Sequence, residues 1–235
     1  KLKKIDYTVG CSSVSLSLKN LDIPDYPDEE YPYPAFETSN KGLKKRLAYV
    51  FSFANLTGYA VQDITEQIKQ SEEDEYSIRE YSELDYQVTY NKNCILSMAT
   101  TTVTVAAHFN YYSESYNISL INGMEIIIDD IVRQDMMNEL TAFCNGKLRN
   151  IINDAIEEND YSEAPEIIGM LQENEFDVRN LNYFRFSKDG IVFEYSFGFP
   201  HVYLAAEPSG DILLTWKEMK GYAKPKGPLY FIFKN

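Results

Sequence analysis

The sequence predicts an α+β fold, in which an antiparallel β-sheet carries two long helices packed on its faces. Alternation of apolar and polar residues, typical of half-buried strands, recurs at the start, in the middle and near the end of the chain. Two longer stretches between these strands place apolar residues three or four positions apart, as amphipathic helices do. Asn-Gly and Lys-Asp-Gly turns join neighbouring strands and favour antiparallel hairpins.

The first predicted element is a strand near the N-terminus. Val14, Leu16 and Leu18 alternate with serines, which predicts that their face of the strand is buried. Residues 22–34 follow, with four prolines and five carboxylates. Because proline disrupts helix interiors and central strands, this segment is predicted to be an extended surface loop.

The first helix is predicted to begin after Ser39 and Asn40, which are suitable N-cap residues. Its apolar positions run from Leu43 to Ile68, and Gly58 is expected to kink or split it. Seven carboxylates then lie between residues 72 and 85, which we interpret as a solvated helix end and loop. A calcium site is the alternative, although the segment lacks the EF-hand pattern.

The middle of the chain predicts consecutive antiparallel hairpins rich in Val, Ile, Thr and Tyr. Their turns are expected at residues 91–93 and 121–123. Asp129 and Asp130 are then predicted to cap a second helix that ends near Glu158.

The last third begins with two strands around Lys188-Asp189-Gly190, a strong hairpin signal. Residues 211–216 add a strand, and residues 216–222 a short helical turn. Residues 227–233 are predicted either to close the sheet as a final strand or to dock on the surface as a tail.

The length of 235 residues fits one large domain or two small ones. We divide the chain into an N-terminal half, residues 1–85, and a C-terminal half, residues 86–235, and expect the two halves to form one compact unit. No run approaches the roughly 18 apolar residues of a membrane span. Attachment to a membrane would therefore require a lipid anchor outside these residues.

The formal charge of −14 disfavours nucleic acids and anionic lipid surfaces and favours a cationic partner. The three cysteines, Cys11, Cys94 and Cys144, lack metal-ligand spacing. A cross-link between Cys94 and Cys144 is one alternative, but buried free thiols are the favoured interpretation. Cys11 follows Thr-Val-Gly, similar to a lipoprotein cleavage box, yet no apolar segment precedes it, so we interpret it as a strand residue.

The sequence carries no motif of a catalytic nucleophile, a phosphate loop or a metal site, so no cofactor is predicted and the chain is interpreted as a non-enzyme. Its two histidines, His108 and His201, lie 93 positions apart and outside the spacing of zinc motifs.

Residues 96–132, LSMATTTVTVAAHFNYYSESYNISLINGMEIIIDDIV, carry a resemblance to a known family. FRFSKDGIVFEYSF at residues 184–197 and FPHVYLAAEPSGDILLTWKEMK at residues 199–220 continue it in the same order. The pattern resembles the extracytoplasmic domain of RsiV-type anti-sigma factors, shared with the N-terminal accessory region of PdaC-type peptidoglycan deacetylases. The resemblance implies an exported, often lipid-anchored binding domain of unknown function, whose partner is a lysozyme-like cationic protein or cell-wall peptidoglycan.

His108 matches the A-A-H-x-N segment of that family, and aromatic residues in loops can anchor a partner. The candidate ligand-binding residues are His108, Asn110, Tyr111, Tyr112, Phe199, His201 and Tyr203. Hydrogen bonds of His108 and Asn110 to neighbouring backbone, and burial of the aromatic rings in the core, are the structural alternatives. The predicted function is an extracytoplasmic, non-enzymatic binding or sensing domain. The alternatives are a cell-wall hydrolase that uses His108 with nearby carboxylates, and a structural lipoprotein domain.

Overall fold

The computed structural model describes residues 11–74, 76–106, 108–159, 161 and 164–234. It confirms the α+β class, with antiparallel sheets and helices. The chain forms two compact units, Lys1–Glu125 and Ile126–Asn235, which we name the N-terminal unit and the C-terminal unit. The division drawn from the sequence, between residues 85 and 86, falls within a strand and stays a prediction.

The N-terminal unit contains two antiparallel sheets and three helices. Its elements are β1 (Ser15–Asn20), β2 (Pro32–Glu37), α1 (Lys41–Val50), α2 (Phe53–Thr57), α3 (Val61–Glu73), β3 (Tyr81–Lys92), β4 (Ile95–Val105) and β5 (Phe109–Ser119). Strands β1 and β2 pair with each other, and β3, β4 and β5 form a sheet in sequential order.

The strand β1 forms as predicted, but the expectation of a buried face is wrong for its two leucines. Leu16 is 45% exposed and Leu18 is 63% exposed. They lie opposite Phe36 and Pro34 of β2, on the same face of the two-stranded sheet. Only the β2 residues of these pairs are buried, because the core packs against β2 and leaves β1 at its margin.

The proline-rich segment is only partly a loop, because residues 32–37 form β2. Both strands of a two-stranded sheet are edge strands. Pro32 and Pro34 are tolerated there, since a proline that cannot donate a hydrogen bond fits where the backbone N–H would point away from the partner strand.

The first helical stretch is divided into three helices. Asn40 caps α1 by accepting a hydrogen bond from the backbone N–H of Leu43, at 3.1 Å. Gly58 ends α2 with a φ of 79°, so its predicted role in splitting the helix is confirmed. The apolar residues of α1 and α2 pack on the sheet in one buried cluster: Phe36, Leu43, Leu47, Phe51, Leu56, Leu96, Met98, Ile118 and Leu120.

The hairpins of the middle segment are confirmed only in part. The hairpin of β3 and β4 forms with a shifted turn, but the predicted hairpin at residues 121–123 is wrong, because the segment after this turn makes only an isolated bridge, between Glu125 and Ile118. Asn93 and Cys94 occupy the turn between β3 and β4 with φ values of 52° and 65°, so the turn lies later than predicted. The strand β3 begins at Tyr81 and takes in the end of the acidic segment, which had been predicted to be a loop.

The C-terminal unit contains one long helix and a three-stranded antiparallel sheet in the order β6-β7-β8. Its elements are α4 (Ile128–Ile131), α5 (Met137–Glu158), α6 (Glu166–Gln172), β6 (Phe184–Phe186), β7 (Gly190–Glu194), β8 (Asp211–Thr215), α7 (Trp216–Met219) and α8 (Tyr230–Phe233). Short 3₁₀ turns lie at residues 134–136, 178–182 and 201–206.

The second long helix ends at Glu158 as predicted, but its predicted start is wrong. Asp129 and Asp130 belong to the short helix α4, where the Asp130 carboxylate accepts from the backbone N–H of Ile127. The helix α5 begins only at Met137. Its buried residues follow the expected spacing: Met137, Leu140, Cys144, Leu148, Ile152 and Ala155.

The hairpin at Lys188-Asp189-Gly190 is confirmed, and β8 and α7 follow it as predicted. The C-terminal segment does not form the alternative closing strand. It turns into α8, and the ring of Phe233 lies edge-on to Trp216, with centroids 6.5 Å apart. No helix in the described segments is long and apolar enough to cross a membrane.

The expectation of free thiols is wrong for two of the three cysteines. Cys11 and Cys94 form a disulfide with their Cα atoms 5.4 Å apart. Cys11 therefore lies before β1 rather than in a strand, and the alternative cross-link of Cys94 to Cys144 is also wrong. Cys144 is free and buried, and burial raises the pKa of its thiol to about 12.

Candidate functional site

A cavity of about 430 Å³ opens in the N-terminal unit beside α2. Thr102 and Thr104 of β4 line it together with Tyr112 and Glu114 of β5. The strand register places Thr102 opposite Tyr112. Because alternate residues of a strand share one face, these four side chains come to the same side of the sheet.

Residues 55–59, at the end of α2, form another wall of the cavity. The Thr102 hydroxyl donates to the carbonyl oxygen of Leu56 at 3.1 Å, which holds this helix end against β4. The chain then reverses at Gly58, whose positive φ is easily adopted without a Cβ. The backbone N–H of Tyr59 donates to the Thr57 hydroxyl at 3.1 Å, which fixes the start of the next segment.

The cavity lining is acidic. Glu80, just before β3, and Glu114 contribute carboxylates, and among the residues that the structure describes no Lys, Arg or His lines the cavity. Within the described residues, neither carboxylate takes part in an ion pair. Burial and the negative charge of nearby Glu80 raise the pKa of Tyr59 to about 12, so this phenol is neutral at physiological pH.

One carboxylate is held in place by a tyrosine. The Tyr116 hydroxyl donates to Glu114 Oε2 at 2.6 Å. Burial, followed by the hydrogen bond to Glu114, raises the pKa of Tyr116. The phenol therefore stays protonated and orients the Glu114 carboxylate without neutralising its charge.

The structure places four of the predicted ligand-binding residues at one end of β5. His108 is exposed in the turn before the strand, and the Asn110 side chain donates to the His108 carbonyl oxygen at 3.3 Å. Tyr111 and Tyr112 are both largely exposed and point to opposite faces. Only Tyr112 lines the cavity, and His108, the catalytic candidate of the hydrolase alternative, does not.

Phe109 and Tyr111 form a second surface feature, which we name the aromatic strip. They lie on the same face of β5, opposite Val105 and Val103 of β4. Phe109 is 55% exposed and Tyr111 is 66% exposed. Two neighbouring aromatic rings at the end of an exposed strand are typical of a protein contact surface.

The other three predicted residues belong to the C-terminal unit. Phe199 is buried and lies edge-on to Phe197, with ring centroids 6.2 Å apart, so its ring is part of the interior rather than an exposed contact. His201 is exposed at the start of a 3₁₀ turn. The Tyr203 hydroxyl hydrogen-bonds the Glu166 carboxylate.

Among the lining residues, only Tyr112 was a ligand-binding candidate from the sequence; the others were missed, including Tyr59, Glu80, Thr102, Thr104 and Glu114. They come from segments that are distant in the sequence, and no local motif marks them. Among the residues that the structure describes, no group of three His, Cys, Asp or Glu side chains could hold a metal ion.

Comparisons with known proteins identify a shared fold. No family model matches the chain, and no curated protein is detectably similar in sequence. A crystal structure of a DUF3298 family member from Bacteroides fragilis NCTC 9343 matches with a TM-score of 0.55 and 19% identity, covering 92% of this chain and 95% of that one. A DUF3298 protein from Pseudomonas aeruginosa PAO1 matches with a TM-score of 0.51 and 10% identity, covering 94% and 97%. The chain is therefore similar in fold to proteins of this domain family of unknown function.

Proposed function

We propose that this protein is an extracytoplasmic, non-enzymatic binding or sensing domain that recognises a cationic protein. The observation that carries the proposal is the aromatic strip of Phe109 and Tyr111, exposed on a chain of formal charge −14. Exposed aromatic residues supply binding energy, and the negative field attracts a basic partner over a distance.

The Cys11–Cys94 disulfide supports an extracytoplasmic location. Disulfides persist in oxidising compartments such as the periplasm and the cell surface, and they are rare in the reducing cytosol. The sequence resemblance to RsiV-type and PdaC-type domains supports the same location. For an RsiV-like domain, a lysozyme-like protein is the natural candidate partner, with cell-wall glycan as the second ligand class.

The proposal predicts saturable binding of hen egg-white lysozyme by the purified chain. Binding is expected to persist at about 0.15 M ionic strength, where charges more than about 8 Å apart are largely screened. Calorimetric titration at low and at physiological salt measures this directly, with peptidoglycan fragments titrated in parallel as the other ligand class.

Binding that disappears at physiological salt would contradict the proposal, since it would show only non-specific attraction between opposite net charges. Binding of glycan without binding of lysozyme would replace the protein partner with the cell wall. If the chain binds neither lysozyme nor glycan, the alternative of a structural lipoprotein domain is the better explanation.

A further inference from the structure

We propose that the cavity beside α2 receives the cationic side chain, arginine or lysine, of the basic partner protein. This inference rests on the proposed function and adds a defined site to it. The aromatic strip would supply apolar contact on one face of β5, and the cavity would select for charge on the other face.

Within the described residues, the carboxylates at this cavity have no cationic partner. Glu80 and Glu114 bring two carboxylates to a cavity that no basic side chain of the described segments lines. Both side chains are exposed, so water solvates them in the free protein. A guanidinium or ammonium group entering the cavity would gain charge-assisted hydrogen bonds there, which are stronger than those between neutral groups.

The cavity also contains a buried hydroxyl that has no hydrogen-bond partner among the described residues. Thr104 lines the cavity and is only 7% exposed. Thr102, its neighbour on the same face, donates a hydrogen bond to the carbonyl oxygen of Leu56. In contrast, Thr104 Oγ1 makes no hydrogen bond within the described part of the chain. A buried hydroxyl that is left unpaired is costly. A ligand with N–H donors would satisfy this oxygen, which a purely apolar ligand would not.

The aromatic part of the lining also favours a cationic ligand. The phenol rings of Tyr59 and Tyr112 stand at the cavity together with the two carboxylates. Aromatic faces attract cations, and arginine also stacks on them through its planar guanidinium group. The volume of about 430 Å³ falls in the range of small-ligand pockets and accommodates one long side chain.

A second cavity in the same unit provides a contrast. It measures about 330 Å³ and is lined by Glu29, Tyr31 and Arg79, among others. There Arg79 pairs with Glu29 at 2.9 Å, so a cation of the protein itself already stands beside the two lining carboxylates, Glu29 and Glu30. The described lining of the cavity beside α2 holds two carboxylates and no cation, which is why that cavity is assigned to an incoming cation.

The test uses a capped tripeptide, acetyl-Gly-Arg-Gly-amide, titrated into the ¹⁵N-labelled full chain and followed by NMR. The control ligand replaces arginine with citrulline, which keeps the shape of the side chain and removes its charge. The arginine peptide is expected to cause saturable changes in the backbone amide chemical shifts of residues 55–59 and 102–114. The citrulline peptide is expected to bind at least tenfold more weakly.

Two variants test the assigned residues, and a third serves as their control. The double substitution Glu80→Gln with Glu114→Gln is expected to weaken arginine peptide binding at least tenfold at physiological salt. Thr104→Val is expected to weaken it severalfold while leaving the melting temperature unchanged or raised, since the lost hydroxyl had no partner. The matched control Glu66→Gln removes one exposed carboxylate of α3 and should change affinity less than twofold.

The outcomes for the cavity and for the proposed function are distinguishable. Equal lysozyme affinity of wild type and the Glu80→Gln, Glu114→Gln variant would overturn the cavity assignment and leave the proposed function intact. Arginine peptide binding at the cavity without any lysozyme binding would uphold the site and overturn the proposed partner. If the arginine and citrulline peptides cause equal changes in the amide chemical shifts and bind with equal affinity, the cavity does not select for charge.

Discussion

Reduction of the Cys11–Cys94 disulfide is expected to lower the free energy of unfolding of the N-terminal unit by about 4 kcal/mol. The two cysteines are 83 positions apart, and a cross-link that closes so long a loop removes much conformational entropy from the unfolded chain. Urea unfolding followed by circular dichroism, with and without dithiothreitol, measures the loss.

The control is the double variant Cys11→Ser, Cys94→Ser, whose stability should be low and insensitive to dithiothreitol. Thiol titration in denaturant gives a second readout. One thiol, that of Cys144, is expected before reduction and three after it. Detection of three thiols in the unreduced protein would contradict the assignment of the disulfide. So would a urea unfolding midpoint that is the same with and without dithiothreitol. The extracytoplasmic location would then lose its structural support.

The second large effect concerns the aromatic strip. Tyr111→Ala is expected to weaken lysozyme binding by about 2 kcal/mol or more, roughly 30-fold in Kd. The exposed ring of Tyr111 contributes little to the core, so the melting temperature should be unchanged. Calorimetric titration at physiological salt gives the affinity, and thermal unfolding confirms that the variant is folded.

Tyr183→Ala is the matched control for this experiment. Tyr183 is 63% exposed, close to the 66% of Tyr111, but it belongs to the C-terminal unit. Its removal should leave lysozyme affinity within a factor of two. If both substitutions weaken binding equally, or if Tyr111→Ala has no effect, the aromatic strip is not the contact surface.

Local signals in the sequence were sufficient for one hairpin, one helix break and the end of one long helix. The turn at Lys188-Asp189-Gly190 and the break at Gly58 both depend on backbone conformations that a few neighbouring residues determine. The end of α5 at Glu158 follows from the loss of its apolar spacing, which is also local information.

Burial was harder to predict than secondary structure. The alternation of Leu16 and Leu18 correctly indicates a strand, but it does not say whether anything covers that face. The answer depends on where the core lies relative to β1, and this is a property of the folded unit. For the same reason, Phe199 looked like a loop aromatic and is an interior one.

The candidate site was predicted only in part. Tyr112 was singled out from the sequence, whereas Tyr59 and Glu80 were not. Their proximity depends on how α2 docks on the sheet, which is fixed by contacts such as that between Thr102 and Leu56, 46 positions apart. The pairing of Cys11 with Cys94 is likewise a long-range contact, and the sequence alone does not determine disulfide connectivity.

Hydrogen–deuterium exchange of the full chain with and without lysozyme tests the central claim most directly, because it locates the partner without any substitution. The account predicts slowed exchange in residues 55–59 and 109–114, which border the cavity and carry the aromatic strip. Slowed exchange confined to residues 199–206, around His201 and Tyr203, would place recognition in the C-terminal unit and contradict the account.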